Sequence, residues 1–563
     1  MIVRASSIIF IALFLLSQEA ITAETKPTAE ELIRDLACSA CHDGLPEGNN
    51  IQDKAPDLSD AGLRFNSAYL FDYLQNPTKI RQHIGFSRMP NFQLNKKESL
   101  ALVLFLKKQQ GLKGEWPEFP LELNTAVQQY RQNMNLTSVQ TLLNQFECTK
   151  CHSLGGEGTK ESIDLSTLGY RLNPNWVKKY LAAPYVFDGL RTTMPSYFYT
   201  HDATLNKFVE ILPQAAQNIY DLTKYLFSLN TKKQSELQRV FEDAKVEYSE
   251  VNASLGEQIF ISLNCIACHK YSGKMTTKKD APDLSIEGAR VRKDWLKAYL
   301  KKPTSIRPFG FDPGSGSRMP DFNLSDNEVE VLTNYIVNQA DKFKTLTHAF
   351  KPRKLSAFSM AKAETLLKEK LSCLGCHRLG EEGGRIAPDL SNIKSRLQSE
   401  FVYQMIQNPK SVVHETVMPK IAMPQKTKNL IVNYLLQQEI SKKELSYLSL
   451  VDNPIQVFQD TNEERELYVR YCASCHGVKG DSDGFNTKYL PTRPTKFSDS
   501  VYMSNRPDDT LFDGVVAGGY ILNKSHLMPP WGDTLERSEI LKLVAYLRKL
   551  CHCEGPLWSR DNK

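Results

Sequence analysis

Cys38-Ser-Ala-Cys41-His42 recurs as Cys148-Thr-Lys-Cys151-His152, Cys265-Ile-Ala-Cys268-His269, Cys373-Leu-Gly-Cys376-His377 and Cys472-Ala-Ser-Cys475-His476. The five copies take ten of the 12 Cys and five of the 11 His in a chain of 563 residues. Their first cysteines fall at 38, 148, 265, 373 and 472, so each motif has roughly a hundred residues to itself. Length and spacing together predict five small units, one per motif.

The Cys-x-x-Cys-His spacing is that of c-type haem attachment. Two sulfurs three residues apart on one helical turn meet the two vinyl groups of a haem, and the following His is then held beneath the iron. A redox Cys-x-x-Cys pair does not require that His, and a zinc site would need two such pairs on one ion. The reading is therefore five covalent haem c groups, attached at Cys38, Cys41, Cys148, Cys151, Cys265, Cys268, Cys373, Cys376, Cys472 and Cys475. The proximal ligands are His42, His152, His269, His377 and His476.

The repeat extends beyond the cysteines. Apolar residues at three- and four-residue spacing predict a short opening helix before each motif, over 29–37, 138–147, 255–263, 362–371 and 463–471. After the His comes Ala55-Pro56-Asp57-Leu58-Ser59, repeated as Ala281-Pro282-Asp283-Leu284-Ser285 and Ala387-Pro388-Asp389-Leu390-Ser391; the second copy has Ile163 before Asp164-Leu165-Ser166. An aromatic-led helix ended by Pro follows in the first four copies, at Pro77, Pro184, Pro303 and Pro409, because proline cannot continue a helix. Closing helices are predicted over 96–108, 217–229, 326–338, 427–438 and 538–550.

Between the last two markers each copy carries Met-Pro, beginning at Met89, Met194, Met319, Met418 and Met528, separated from the motif His by 47, 42, 50, 41 and 52 residues. Thioether sulfur is a soft ligand, and a His/Met pair raises the potential of a haem. It also fills the sixth position on iron, which favours electron transfer over substrate chemistry. In the fourth copy Met423-Pro424 is an alternative; Met418 is favoured because it precedes Tyr434 by 16 residues, as Met319 precedes Tyr335. His83, His414 and His526 lie near the methionines and could compete as ligands after a loop shift, although an exposed loop histidine is the commoner case. His201, His348 and His552 have no counterpart in the repeat.

These markers resemble class I, monohaem His/Met cytochrome c domains over nearly the whole chain. The resemblance implies an all-α fold of five tandem small helical domains joined by linkers. It also implies that the Pro of the second marker offers its carbonyl to the proximal His, which maps to Pro56, Pro282 and Pro388; such a bond fixes the ring and tunes the iron. The fifth copy departs, with Arg493-Pro494-Thr-Lys-Phe497 and Met528-Pro-Pro-Trp531-Gly532. It looks like the cytochrome domains attached to haem-copper oxidases and related dehydrogenases. The boundaries so obtained are 24–111, 137–230, 253–344, 359–440 and 461–563, the last a divergent subtype. The clearest linkers are 112–136, 231–252, 345–358 and 441–460.

Composition agrees with a globular chain: 41% hydrophobic and 24% charged, which excludes collagen-like, mucin-like and disordered classes. A formal charge of +6 is too mild for a nucleic-acid binder. The nine apolar residues 8–16 (IIFIALFLL) behind Arg4, followed by small residues up to Ala23, read as a signal peptide spanning 1–23, too short to cross a bilayer. The longest later apolar run, 100–106, has seven residues, so no transmembrane segment is expected in the mature, periplasmic or otherwise exported chain. Basic bias falls in 273–302 and 341–370, each at net +5. It suits a solvated face or the docking of an acidic redox partner. Cys551 and Cys553 have the wrong spacing for haem and can form a local disulfide or pair with another chain.

The function expected is an exported multihaem electron carrier between redox partners, not itself an enzyme and with no catalytic residues. The alternative is the cytochrome subunit of a larger membrane oxidase, reductase or surface conduit; a peroxidase or small-anion oxidoreductase is the least favoured.

Overall fold

The computed structural model describes residues 27–46, 55–80, 85–111, 119, 136–188, 192–202, 204, 207–269, 279–338, 350–438, 445–453 and 462–559. The signal segment, His83, His348 and most of the linkers 112–136 and 441–460 lie outside them. The fold is all-α, as expected, with only short two-stranded ribbons.

All five opening helices are present, at Ala29–Asp35, Leu136–Gln145, Ala253–Ser262, Ala357–Glu369 and Glu463–Tyr471. Four begin at side chains that accept from free backbone N–H groups: Thr28, Asn252, Ser356 and Asn462. Thr28 and Glu31 complete a reciprocal capping box. In the first three copies the residue before the motif (Ala37, Glu147 or Asn264) is left-handed, with φ of 56°, 49° and 54°, and a single 3₁₀ turn then carries the cysteines. The fourth and fifth copies carry them on a short α-turn.

The closing helices lie at Lys96–Lys107, Ala215–Ser228, Asp326–Asn338, Gln425–Leu435 and Arg537–Cys551. In the second, fourth and fifth copies each packs against the opening helix of its own copy. The first and third copies do not follow this pattern. The opening helix of the third copy crosses the closing helix of the first, so closely that a Cβ on Gly256 would fall 2.0 Å from the Ala101 carbonyl oxygen. Phe105 and Phe260 pack in the same crossing, with centroids 5.4 Å apart. The opening helix of the first copy lies instead against Asp326–Asn338 of the third. The spans 24–111 and 253–344 are thus contiguous in sequence but interleaved in space.

Two further elements were not anticipated. The presumed linker 231–252 is mostly a 17-residue helix, Thr231–Glu247, whose Leu237, Phe241 and Ala244 are buried against the Ser67–Gln75 helix of the first copy. The extra residues after Thr200 form an antiparallel hairpin, Tyr199–Asp202 with Lys207–Glu210, and place His201 against Phe208. At the other end of the chain Cys551 and Cys553 are bonded to each other.

Candidate haem sites

In every copy the motif His points its Nδ1 at a backbone carbonyl: His42 at Pro282 (2.8 Å), His152 at Ile163 (2.8 Å), His269 at Pro56 (3.0 Å), His377 at Pro388 (2.7 Å) and His476 at Thr495 (2.9 Å). A carbonyl only accepts, so Nδ1 carries the proton and Nε2 keeps its lone pair for a metal. Burial pushes all five imidazoles down, His377 and His476 to about 4, and so keeps them neutral.

The carbonyl partners depart from the expected pattern in four copies; only His377 meets the proline of its own copy. Pro56 and Pro282 serve each other's copies rather than their own. The second copy keeps the bond without a proline, because only the carbonyl is used. In the fifth, the acceptor is Thr495, while Pro494 takes the Ser482 hydroxyl at 2.8 Å; Phe497 stacks on His476 with centroids 4.2 Å apart.

The ten motif cysteines are free of disulfides. Burial raises the thiols of Cys38, Cys265, Cys268 and Cys472 to about 12. A redox Cys-x-x-Cys pair has its reactive thiol lowered instead, so these cysteines sit in an apolar slot rather than a redox site. Among the described residues no group of three or more His, Cys, Asp or Glu converges to hold an ion, although Asn264 reaches Cys41 Sγ at 3.6 Å across the meeting of the first and third motifs.

His42, His152 and His269 line one continuous cavity of about 1550 Å³, together with Met89, Met194 and Met319. A small-molecule pocket has roughly 300–1,000 Å³, so the space suits several bulky apolar groups. Met418 donates its N–H to Thr416 Oγ1 at 3.2 Å, repeating the Met194–Thr192 bond of 3.2 Å, which favours Met418 as the counterpart of Met194. Met423 stands directly before Pro424, the N-cap of the closing helix. Met528 packs on the core of the fifth copy with Cys472 and Trp531. Of the nearby histidines, exposed His414 contacts Glu415 (3.0 Å) and His526 the Lys368 carbonyl (3.0 Å).

A set of arginines escaped the sequence reading. Arg64, Arg171, Arg290 and Arg396 each end a four-residue helix and line the cavity. Each stands seven residues after the Asp of the second marker, a spacing that could have revealed them. The Nε atoms of Arg64, Arg171 and Arg396 are buried without a partner. Burial first, then repulsion by Arg290, pushes Arg307 down to about 9 and Arg396 to about 10. Orphaned buried donors and crowded cations fit an anionic occupant, and the two propionates of a haem are one. The residues present therefore fit haem on three counts: thiols in an apolar slot, a free Nε2, and buried cations at the rim.

The same arginines mark joints between copies. Phe65 bridges Leu172, with Asn66 N–H donated to Arg171 O and Asn173 N–H to Arg64 O, both at 2.9 Å. Arg64 lies 4.7 Å over the Trp176 ring. Val291 bridges Leu397 in the same way between the third and fourth copies, through Arg292–Arg396 (2.8 Å) and Gln398–Arg290 (2.9 Å). The fourth and fifth copies meet at their motifs: Asn486 donates to Gly375 O at 2.9 Å and to Cys475 Sγ at 3.3 Å.

Comparison with known proteins agrees with this geometry. The family described as Cytochrome c matches residues 28–110 and 253–340, and the family described as Cytochrome C oxidase, cbb3-type, subunit III matches 459–547. The matched stretches make the chain one with tandem cytochrome c domains, as in a multihaem c-type cytochrome. It is 29% identical over 104 residues to cytochrome c6 of Cyanidium caldarium, covering 18% of this chain and 84% of that protein. It is 28% identical over 124 residues to cytochrome c oxidase subunit 2 of Bacillus subtilis (strain 168), covering 20% of this chain and 33% of that subunit. The chain thus spans a third of the length of the oxidase subunit. No solved structure matches. None of the helices is long and apolar enough to cross a membrane, among the described residues.

Proposed function

We propose that this chain is an exported carrier that moves electrons one at a time through five His/Met haem c centres between redox partners, without catalysing a substrate reaction itself. The observation that carries this reading is the fivefold Nδ1–carbonyl bond, which presents a neutral Nε2 ligand behind each pair of motif thiols. Haem, when attached, supplies the one-electron iron couple. The protein's part is to hold each His ring in one tautomer, to present Met89, Met194, Met319, Met418 and Met528 as second ligands, and to exclude water from the pocket. The buried arginines hold negative charge at the rim. Export rests on the apolar segment 8–16. The basic segments would meet an acidic partner, although several of their lysines already pair locally, as Lys301 does with Asp326 (2.7 Å) and Lys368 with Glu364 (3.0 Å).

A second reading is favoured by the fifth domain: its likeness to an oxidase subunit suits a cytochrome chain that delivers electrons to a membrane oxidase. Mass spectrometry and optical spectra of purified protein test both readings. Five attached haems, all low-spin and each with a sulfur-to-iron charge-transfer band when oxidised, are expected. A high-spin haem that binds CO or cyanide at rest would replace the carrier reading by an enzyme. Stable co-purification with membrane oxidase subunits would favour the second reading.

A further inference from the structure

The first and third copies exchange parts on both sides of the histidine ring. On the proximal side the exchange is reciprocal. His42 donates to Pro282 across 240 residues, and His269 donates to Pro56 across 213. The exchange continues past the ring: Leu284 N–H is donated to Asp43 O at 3.0 Å, and Lys279 pairs with Asp43 at 2.8 Å. Each opening helix rests on the other copy's closing helix.

On the methionine side the two loops cross at an antiparallel bridge, Asn91 with Asp321, made by two hydrogen bonds of 2.7 and 2.8 Å. Just before the crossing, consecutive side chains part company. Arg88 forms a two-point bond with Glu328 of the third copy (3.1 and 3.0 Å), while Met89 packs on the apolar cluster that holds Cys265. Arg318 likewise bonds Glu98 of the first copy, while Met319 packs on the cluster that holds Cys38.

We propose that the haems of these two copies are ligated across the exchange. The one attached at Cys38 and Cys41 takes His42 and Met319; the one attached at Cys265 and Cys268 takes His269 and Met89. The proposal rests on the haem reading above and deepens it. It makes the first and third copies one obligate two-haem body, in which neither contiguous stretch of chain completes a site.

The test is an epistasis experiment on the full-length haem-loaded protein, read by redox titration. Met89→His and Met319→His should each lower one midpoint potential, since replacing Met by His removes the ligand that raises it. In a Cys38→Ala/Cys41→Ala background, Met319→His should become silent while Met89→His still lowers one potential. The opposite pattern, with Met89→His silent, overturns the exchange and restores ligation within each copy. If neither substitution moves a potential in the otherwise unaltered chain, the haem–methionine reading itself fails. A second measurement needs no haem deletion: in reduced protein with labelled methionine, the ligand methyl of Met319 should show proton contacts to the haem whose thioether joins Cys38. Contacts to the haem of Cys265 would refute the assignment.

Discussion

At the scale of single residues, a backbone carbonyl fixes the ring of each motif His. The spacing of Cys, His and Met within the repeat was readable. The carbonyl behind each His was not, because any residue carries a carbonyl: Ile163 serves as well as Pro388, and Thr495 displaces Pro494 by one position. The choice between Met418 and Met423 also belongs here. Met418 is braced by Thr416 as Met194 is by Thr192, whereas Met423 is adjacent to the cap of a helix. Met418→Leu should therefore abolish one charge-transfer band and lower or convert one centre to high spin, and Met423→Leu should change neither. Unchanged spectra after loss of Met418 would exchange the two roles.

At the scale of elements, the helices were readable from three-and-four periodicity and their caps, but not which opening helix meets which closing helix. Both helices of the first copy have buried apolar faces, and periodicity carries no information about which partner covers them. The helix Thr231–Glu247 was missed because it is strongly charged along most of its length and buries only Leu237, Phe241 and Ala244. The seam between the exchanged copies is held by two buried arginine–carboxylate pairs. Burial alone would push the Glu328 carboxyl up, but Arg88 and Ser325 outweigh it and hold it below its ordinary value. A depressed folded value means that the bond contributes fully above about pH 4.5 and is lost as the pH falls through the depressed value. Arg88→Leu leaves Glu328 buried and unpaired, which costs about 3–5 kcal/mol. Acid unfolding of that variant should begin at a higher pH than in the parent, as followed by circular dichroism. Glycines supply a second check on the seam. Gly256→Leu drives a side chain into the Ala101 carbonyl, so it should destabilise by about 1–3 kcal/mol or more, as overpacking does. Because the clash is with the first copy's closing helix, the same variant should impair haem retention at Cys265 and Cys268. Gly375→Ala probes another joint, since its Cβ would fall 2.2 Å from Leu527 O beside Met528. Its effect should appear in the fifth haem's potential as well as the fourth's.

At the scale of the whole molecule, the order of the copies in space differs from their order in the chain. The joint at Phe65–Leu172 ties the second copy to the body of the first, which encloses the third copy's motif. The meeting of the two motifs at Asn264 and Cys41 leads on to the body of the third copy, which encloses the first copy's motif. The joint at Val291–Leu397 then leads to the fourth copy, and Asn486 on Gly375 leads to the fifth. The motifs are therefore linked as Cys148, Cys265, Cys38, Cys373 and Cys472. Repeat counting alone could not show this, because it orders copies only by sequence. Electron transfer falls steeply with distance between centres, so the motif nearest the N-terminus should act as an interior link and not as an end. Loss of the haem at Cys38 and Cys41 by double alanine substitution should then slow electron equilibration between the second and fifth copies. Those two centres can be told apart by lowering one with Met194→His and following rapid-mixing or flash-reduction kinetics. Were the haems strung in chain order, the same deletion would remove only a terminal centre and leave that equilibration at its parental rate.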